Sequence, residues 1–243
     1  MAHHYIVDEV YSLATGERIT LSGAEGRHAA SVSRVRVGEH LSITNGRGLL
    51  AQVTVESVGK VDVELLVDSV AEMEPQRPAI ALVQALAKGD RDERAIEAAT
   101  ELGVTSVIPW QASRSVSRWD ADKATKGVAR WQTIVREASK QSIRSWIPAV
   151  AELASTKDVC DLAASSSVLV LAPEGDSQLA DIEFVPGREV IIVVGPEGGI
   201  TPEELGQFRA AGAHLVSLGA NILRTSTAGV AAIAALNQIL ERW

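Results

Sequence analysis

Apolar and polar positions alternate in short stretches through the first 70 residues, and this spacing predicts a small β domain. Turn-forming pairs such as Asn45-Gly46 and Gly59-Lys60 separate the stretches. The predicted strands are His40–Thr44, Leu50–Val58 and Val61–Val70. The last two flank Gly59-Lys60 as a β-hairpin, and such closely spaced strands favour a small barrel. Ala24–Val35 is predicted to be a helix or an irregular crossover.

A polar segment with two prolines, Ala71–Pro78, is the predicted linker, because proline disfavours continuation of a strand or a helix. Beyond it, apolar strands alternate with amphipathic helices, and the apolar run Glu189–Val194 is typical of a parallel sheet covered on both faces. The predicted strands are Ala79–Ala87, Val104–Pro109, Ile147–Val150, Val168–Ala172 and Glu189–Val194. The predicted helices are Arg91–Leu102, Asp120–Ser142, Lys157–Ala164, one that begins after Thr201, and Thr225–Leu240.

Two helices have recognisable start signals. Thr201 is followed by Pro202 and then by Glu204 at the capping-box position. Thr225 is predicted to cap the last helix. The pattern therefore predicts a β domain over residues 1–72 and an α/β domain over residues 73–243.

Composition excludes several classes of protein. The chain has 243 residues, of which 46% are hydrophobic, so it can build one large core or two smaller ones. Its single cysteine, Cys160, excludes an intrachain disulfide and a cysteine-cluster metal site, and we assign no metal role to His3-His4. No apolar run reaches the roughly 18 residues of a membrane span, and the N-terminus lacks a signal-peptide pattern. We expect a cytoplasmic protein that needs no metal and no membrane.

Charge is unevenly distributed along the chain. The formal net charge of −8 argues against a protein that coats nucleic acid indiscriminately. Basic residues nevertheless outnumber acidic ones between Lys88 and Arg144, whereas acidic residues dominate from Ala151 onward. The basic middle region is either a surface for a polyanion or a solvated helix face. Its tryptophans can stack on bases or pack in a core or an interface.

Three loops that follow predicted strands carry the candidate chemistry. They are Leu171–Gly175, Val194–Ile200 and Leu218–Thr225. Ligands of open α/β sheets bind beyond the carboxyl ends of the strands, and glycine there lets the backbone approach a ligand closely. The alternative for each loop is a tight turn with no ligand. The glycines of Gly195–Gly199 lack both the Lys-Ser/Thr of a P-loop and the G-x-G-x-x-G spacing, which disfavours a nucleotide-phosphate site.

Taken in order, these motifs resemble the SPOUT class of methyltransferases, and specifically the RsmE family, which methylates N3 of a uridine in 16S ribosomal RNA. The matching motifs are Gly195-Pro196-Glu197-Gly198-Gly199, Leu218-Gly219 with Ile222-Leu223-Arg224-Thr225, Lys88-Gly89, Glu101-Leu102-Gly103-Val104, and His28, Val32, Arg34 and Gly38 near the start. The chain departs from the family pattern at Ser33, Lys140, Asn221 and Ser226.

The resemblance implies a PUA-like N-terminal barrel, a trefoil-knotted α/β domain, a homodimer, S-adenosyl-L-methionine as methyl donor, and 16S ribosomal RNA or the small ribosomal subunit as partner. The residues expected around the donor are Leu171, Ala172, Pro173, Gly195, Pro196, Glu197, Gly199, Ile200, Leu218, Gly219, Asn221, Leu223, Thr225 and Ala228. The dimer interface is expected on the last helix, which can instead pack only within its own domain. Its small residues at helical spacing are Ala228, Ala231, Ala232 and Ala235.

Transfer to the uracil N3 requires loss of a proton, so a cation beside the uracil carbonyl groups would stabilise the developing anion. Arg224 and Arg144 are the candidates. Each residue also has a structural alternative. Arg224 can form an ion pair at the helix end, and Arg144 can contact a phosphate or form an ion pair in a dimer interface. Glu197 can be a carboxylate that stabilises a turn. The predicted RNA contacts are Arg27, His28, Arg34, Arg36, Arg114 and Arg118.

Two other functions compete with this interpretation. One is an RNA-binding module with a degenerate donor site. The other is a doubly wound nucleotide-binding oxidoreductase, which is disfavoured because no glycine fingerprint follows the strand Ala79–Ala87.

Overall fold

A computed structural model describes residues 3–243, and the chain divides into two compact units. The first unit contains the chain up to Pro75 together with Ser139–Ile147. The second contains Gln76–Ala138 and Pro148–Trp243. Among the described residues, no helix combines the length and the apolar character needed to cross a membrane.

The first unit is a five-stranded half-barrel with the strand order β1-β3-β4-β5-β2, in which β1 and β3 are parallel and the other pairs antiparallel. Its elements are β1 (His4–Ile6), β2 (Arg18–Leu21), α1 (Gly23–Arg27), β3 (His40–Thr44), β4 (Leu49–Val58) and β5 (Val63–Glu72), with a π-helical turn over His28–Ser33. The predicted hairpin is confirmed as β4 and β5. It closes through residues 59–62, where the Gly59 N–H donates to the Asp62 carbonyl, and β5 therefore starts two residues later than predicted.

The core of this unit follows from the alternation along β4 and β5. Every second residue from Leu49 to Val55 is buried, and its neighbours face outward or are partly covered. Strand β5 continues through Ala71 and Glu72, which the sequence assigned to the linker. Strands β1 and β2 were not predicted individually, because each is too short to show a period.

A distant segment, Ser139–Ile147, completes the first unit. Lys140 pairs with Glu25 at 2.8 Å, and the Lys140 side chain is only 10% exposed. The Arg144 carbonyl lies 3.3 Å from Nε2 of His4, and Trp146 Nε1 donates to the Met73 carbonyl at 2.7 Å. The contacts of this segment thus assign Arg144 to the first unit.

The second unit is built on a seven-stranded, entirely parallel sheet with the strand order β10-β12-β9-β11-β6-β7-β8. Its strands are β6 (Ile80–Ala85), β7 (Ser106–Trp110), β8 (Ala149–Val150), β9 (Ser167–Leu171), β10 (Ser177–Gln178), β11 (Val190–Val194) and β12 (His214–Ser217). Its helices are α2 (Arg91–Glu101), α3 (Ala121–Gln141), α4 (Thr156–Asp161), α5 (Pro202–Ala210) and α6 (Thr225–Ile239), with 3₁₀ turns at Leu162–Ala164 and Leu179–Asp181. All residues of β6 and β11 are buried, which confirms the α/β prediction for this region.

Two tryptophans of the basic middle region pack in the core of this unit. Trp110 and Trp131 are almost fully buried, and the Trp110 ring meets Phe208 edge-on at 5.6 Å. Neither of these two rings is therefore available for stacking on a base.

Helix α6 packs against the centre of the sheet. A Cβ placed on Gly229 would lie 3.0 Å from Leu82 and 3.2 Å from Val194, so the glycine sets how closely the helix approaches. Ala232 is fully buried in the same interface. The expectation that Ala232 contributes to a dimer surface is therefore wrong, because the residue is already covered by its own chain. The homodimer and the knot stay predictions.

We expect Gly229→Val to lower the free energy of unfolding by about 1–3 kcal/mol, because the side chain would force α6 away from Leu82 and Val194. Gly206→Val is the matched control, since Gly206 is also helical but its Cβ would meet nothing within 4 Å. Urea denaturation of both variants tests this. Equal effects at the two positions would show that α6 does not need the close approach.

Candidate active site

The strand order brings the three candidate loops together. Strands β12, β9 and β11 are neighbours in the sheet, and the loops leave their carboxyl ends side by side. They surround a cleft of about 560 Å³ with an adjoining recess of about 80 Å³, a size within the range of small-molecule sites. All fourteen residues expected around the donor line the cleft or the recess, and Leu218, Gly219 and Asn221 line only the recess. Their role in donor binding stays a prediction.

Thr225 fixes the position of the loop after β11. Its hydroxyl donates to the Gly195 carbonyl at 2.8 Å and accepts from Nε2 of the fully buried Gln84 at 2.9 Å. The prediction that Thr225 caps α6 is wrong, because the N-cap is Arg224 and Thr225 is the first helical residue. The threonine is thereby free to join three segments: β6, the β11 loop and α6.

Arg224 lines the cleft at the start of α6, and it is exposed. Its carbonyl accepts the N–H groups of Thr227 and Ala228. Among residues 3–243 its side chain forms neither an ion pair nor a hydrogen bond, so the alternative of a helix-terminal ion pair is not supported.

Glu197 connects the loops that follow two adjacent strands, β6 and β11. Its Oε1 accepts from Arg91 Nη1 at 2.6 Å and from the Lys88 N–H at 3.1 Å. Burial acts to raise the pKa of Glu197, but its own N–H, the Arg91 guanidinium and the Lys88 N–H outweigh burial and hold the pKa below its usual value. In the folded protein Glu197 is therefore ionised, and it connects the loop after β11 to the loop after β6.

Two arginines enter the cleft from outside the three loops. Arg91, the first residue of α2, lines the cleft but was not among the residues predicted from the sequence. Its position next to Lys88-Gly89, in a loop after a strand, was the available signal. Arg114 was predicted to contact RNA; it lines the cleft and donates to the Gly198 carbonyl at 3.0 Å. A Cβ on Gly198 would lie 3.1 Å from Cβ of Arg114, so the arginine rests on the bare backbone of the glycine loop.

Comparisons with known proteins agree with this architecture. A family model described as an RNA methyltransferase domain matches residues 74–237, and one described as an RNA methyltransferase PUA domain matches residues 21–67. The ribosomal RNA small subunit methyltransferase E of Mycobacterium bovis is 42% identical over 234 residues, which cover 94% of this chain and 89% of that protein.

The chain belongs to the ribosomal RNA small subunit methyltransferase E family. The Bacillus subtilis member is 30% identical and covers 99% of this chain and 98% of its own length. The crystal structure of the Neisseria gonorrhoeae member, bound to S-adenosyl methionine, superposes with a TM-score of 0.88 at 30% identity and covers 98% of both chains. The methyltransferase fold predicted from the sequence is thereby confirmed.

Glu204, in helix α5, links three segments of the chain through hydrogen bonds. The residue is 2% exposed and closes the predicted capping box with Thr201. Its Oε1 also accepts the Ser113 N–H and the Thr156 hydroxyl, each at 2.9 Å. Burial acts to raise the pKa of Glu204, but these donors outweigh it and keep the pKa below its usual value. Glu204 thus orders the loop that presents Arg114.

The remaining predicted RNA contacts are not among the residues that line the cleft. Arg27, Arg34 and Arg36 are exposed in the first unit, and His28 is half-buried there with its ring 6.0 Å from that of Tyr5. Arg118 is exposed in the second unit and donates to the Ser113 carbonyl at 2.9 Å. Arg144, the second catalytic candidate, is also absent from the lining residues and belongs to the first unit. These roles stay predictions.

We expect Glu204→Gln to lower the free energy of unfolding by about 1–3 kcal/mol at neutral pH, because the NH2 group of an amide cannot accept and one of the three donors to the carboxylate loses its partner. The folded-state pKa of Glu204 is lowered. Its contribution is therefore complete above the unfolded-state pKa and is lost as the pH falls through the folded-state pKa.

The difference between wild type and variant should accordingly shrink in acid. Urea denaturation at neutral pH and at several acid pH values measures it. Glu203→Gln, an exposed neighbour on the same helix, is the control and should show little effect. A difference that stays constant with pH would contradict the role of the ionised carboxylate.

Proposed function

We propose that this chain binds S-adenosyl-L-methionine in the cleft and transfers its methyl group to N3 of a uridine in 16S ribosomal RNA. Membership of the family supports ribosomal RNA methylation, and the family member from Neisseria gonorrhoeae was crystallised with the same donor. The observation that carries the proposal is the convergence of the three loops on one cleft, at the carboxyl ends of β9, β11 and β12.

The cleft has the chemistry that such a donor needs. Its walls combine apolar side chains, such as Leu171, Ile200 and Leu223, with the exposed backbone of the glycine loop. Backbone N–H and C=O groups there are suited to an adenine edge and a ribose, and the apolar side chains to the rings. The bound donor supplies a methyl group on a positively charged sulfonium. The loops position that group, and positioning alone contributes several kcal/mol to such a displacement.

The acceptor must present an unpaired base, because N3 lies on the pairing edge of uracil. The N3 proton would pass to solvent water, which would leave negative charge shared by N3 and the two carbonyl oxygens until N3 takes the methyl group. Arg224 lines the cleft and carries a cation with no ion-pair partner among the described residues. We assign it the role of stabilising that negative charge.

The proposal is tested by incubating the protein and S-adenosyl-L-methionine with small ribosomal subunits from cells that lack the enzyme. Mass spectrometry of nucleosides from the 16S RNA should show methylation of one uridine at N3. Gly195→Val should abolish it, because a Cβ there would lie 2.6 Å from Ile200 and drive that side chain into the cleft. Gly206→Val should retain activity. Methylation of another base, or at another atom of uracil, would contradict the proposal.

A second prediction separates RNA binding from catalysis. Arg34→Ala/Arg36→Ala should weaken RNA binding and flatten its salt dependence, because phosphate contacts release counterions. The same double variant should bind S-adenosyl-L-methionine normally, since both residues belong to the first unit.

Arg224→Ala should instead keep its RNA affinity, while the rate of methyl transfer falls by two to three orders of magnitude. Filter binding at several salt concentrations measures RNA affinity. Calorimetry measures the affinity for S-adenosyl-L-methionine, and single-turnover kinetics measure the rate of methyl transfer. Wild-type RNA binding by Arg34→Ala/Arg36→Ala would exclude the first unit as the RNA platform.

A further inference from the structure

The cleft is cationic although the chain as a whole is acidic. Its charged lining residues are Arg91, Arg114 and Arg224 against Glu174 and Glu197, in a chain of net charge −8. Arg224 has a role in the proposed reaction, and Arg114 is a predicted RNA contact, but neither Arg91 nor Arg114 yet has a defined ligand at the cleft. The position of these two cations at the cleft therefore needs a separate explanation.

Both guanidinium groups are only partly used by the protein. Each offers five N–H donors. Arg91 uses Nη1 for the Lys88 carbonyl and Glu197, and Arg114 uses Nη1 for the Gly198 carbonyl. Within the described part of the chain, Nε and Nη2 of both arginines make no hydrogen bond. Each side chain is thus anchored through Nη1, and the N–H groups on Nε and Nη2 remain available to a ligand as a planar fork.

The anchors hold the two forks on the same short loop. Arg91 is tied to Glu197 and Arg114 to Gly198, which are consecutive residues. Glycine at 198 is what lets Arg114 lie across the backbone, because a Cβ there would touch the Arg114 side chain at 3.1 Å. The ligand that fits two such forks is an oxyanion, since guanidinium matches phosphate and carboxylate in a two-pronged geometry.

We propose that Arg91 and Arg114 together bind backbone phosphate of the acceptor RNA strand at the cleft, and so position the target uridine against the donor. This inference rests on the proposed function. The donor is a poorer fit as the ligand of both arginines. It carries one sulfonium, one ammonium and one carboxylate, so its net charge is positive, and its single carboxylate can occupy only one fork. A polyanionic strand supplies an oxyanion at every nucleotide.

The experiment compares Arg91→Gln, Arg114→Gln and the double variant with wild type. Arg94→Gln is the matched control, because Arg94 lies on the same helix as Arg91, is exposed, pairs with Asp90 and is not among the lining residues. Three quantities are measured. They are the Kd for 16S RNA at several salt concentrations, the Kd for S-adenosylhomocysteine, and the Kd for 5′-methylthioadenosine, which lacks the amino-acid portion.

The expected result is a several-fold weaker Kd for RNA in each single variant. The slope of log Kd against log salt should fall by about 0.7 per arginine, the value for one single-strand phosphate contact. Both adenosine ligands should weaken by the same factor and by much less than RNA does, because the Lys88 N–H and the Thr225 hydroxyl still hold the loop. Arg91→Lys should recover the salt slope but only part of the RNA affinity, because it restores the charge and not the two-pronged geometry, whereas Arg94→Gln should change nothing.

Three results would overturn the inference. Loss of S-adenosylhomocysteine binding with normal 5′-methylthioadenosine binding would assign the arginines to the donor carboxylate. An equal loss of both ligands that is as large as the loss of RNA affinity, with an unchanged salt slope, would show that the two arginines only hold the loop in shape. Unchanged RNA affinity and salt slope would exclude a phosphate contact. The RNA arm uses no methyl transfer, so a failure of the proposed N3 methylation is recognised separately, in the nucleoside analysis of the wild-type reaction.

Discussion

The loop Gly195–Gly199 is held by groups outside it, and the architecture of the cleft depends on that restraint. Three glycines in five residues leave little side chain with which to order the backbone, and conformational entropy opposes any single shape. The Thr225 hydroxyl binds the first carbonyl, Arg91 and the Lys88 N–H bind the Glu197 carboxylate, and Arg114 binds the Gly198 carbonyl. Contacts from α6, the β6 loop and the β7 loop thus immobilise a surface that stays bare enough for a ligand.

The same restraint links the cleft to the spacing between elements of the second unit. Helix α6 must approach the sheet closely enough for Thr225 to reach both Gln84 and Gly195, and Gly229 permits that approach. Glu204 accepts the Ser113 N–H and so fixes the segment that carries Arg114, which is another anchor of the loop. Packing in the interior therefore determines the geometry of the cleft, because a shift of the core also moves Thr225 and Arg114, which hold the loop.

Local signals predicted much of this structure, and contacts distant in sequence account for most of the errors. The capping box at Thr201 and the buried strand β11 depend on neighbouring residues, so the sequence displays them directly. Thr225 has the composition of a cap, but hydrogen bonds to Gln84 and Gly195, 141 and 30 residues away, place it inside the helix instead. Ser139–Ile147 joins the first unit through Glu25, His4 and Met73, which no local pattern can reveal. Arg91 was missed because its partner is 106 residues distant.

Arg224 is placed where electrostatics within the protein alone would not favour a cation. The N-terminus of a helix carries a partial positive charge, so an arginine at the N-cap of α6 meets repulsion from the helix dipole, where serine, threonine, aspartate or asparagine would stabilise it. No carboxylate among the described residues forms an ion pair with Arg224. The cost falls if a negatively charged acceptor base enters the cleft, because the guanidinium and the helix dipole then both attract it. The same arrangement would make the cleft more attractive to an anionic uracil than to the neutral base, which is the selectivity that transfer at a ring nitrogen requires.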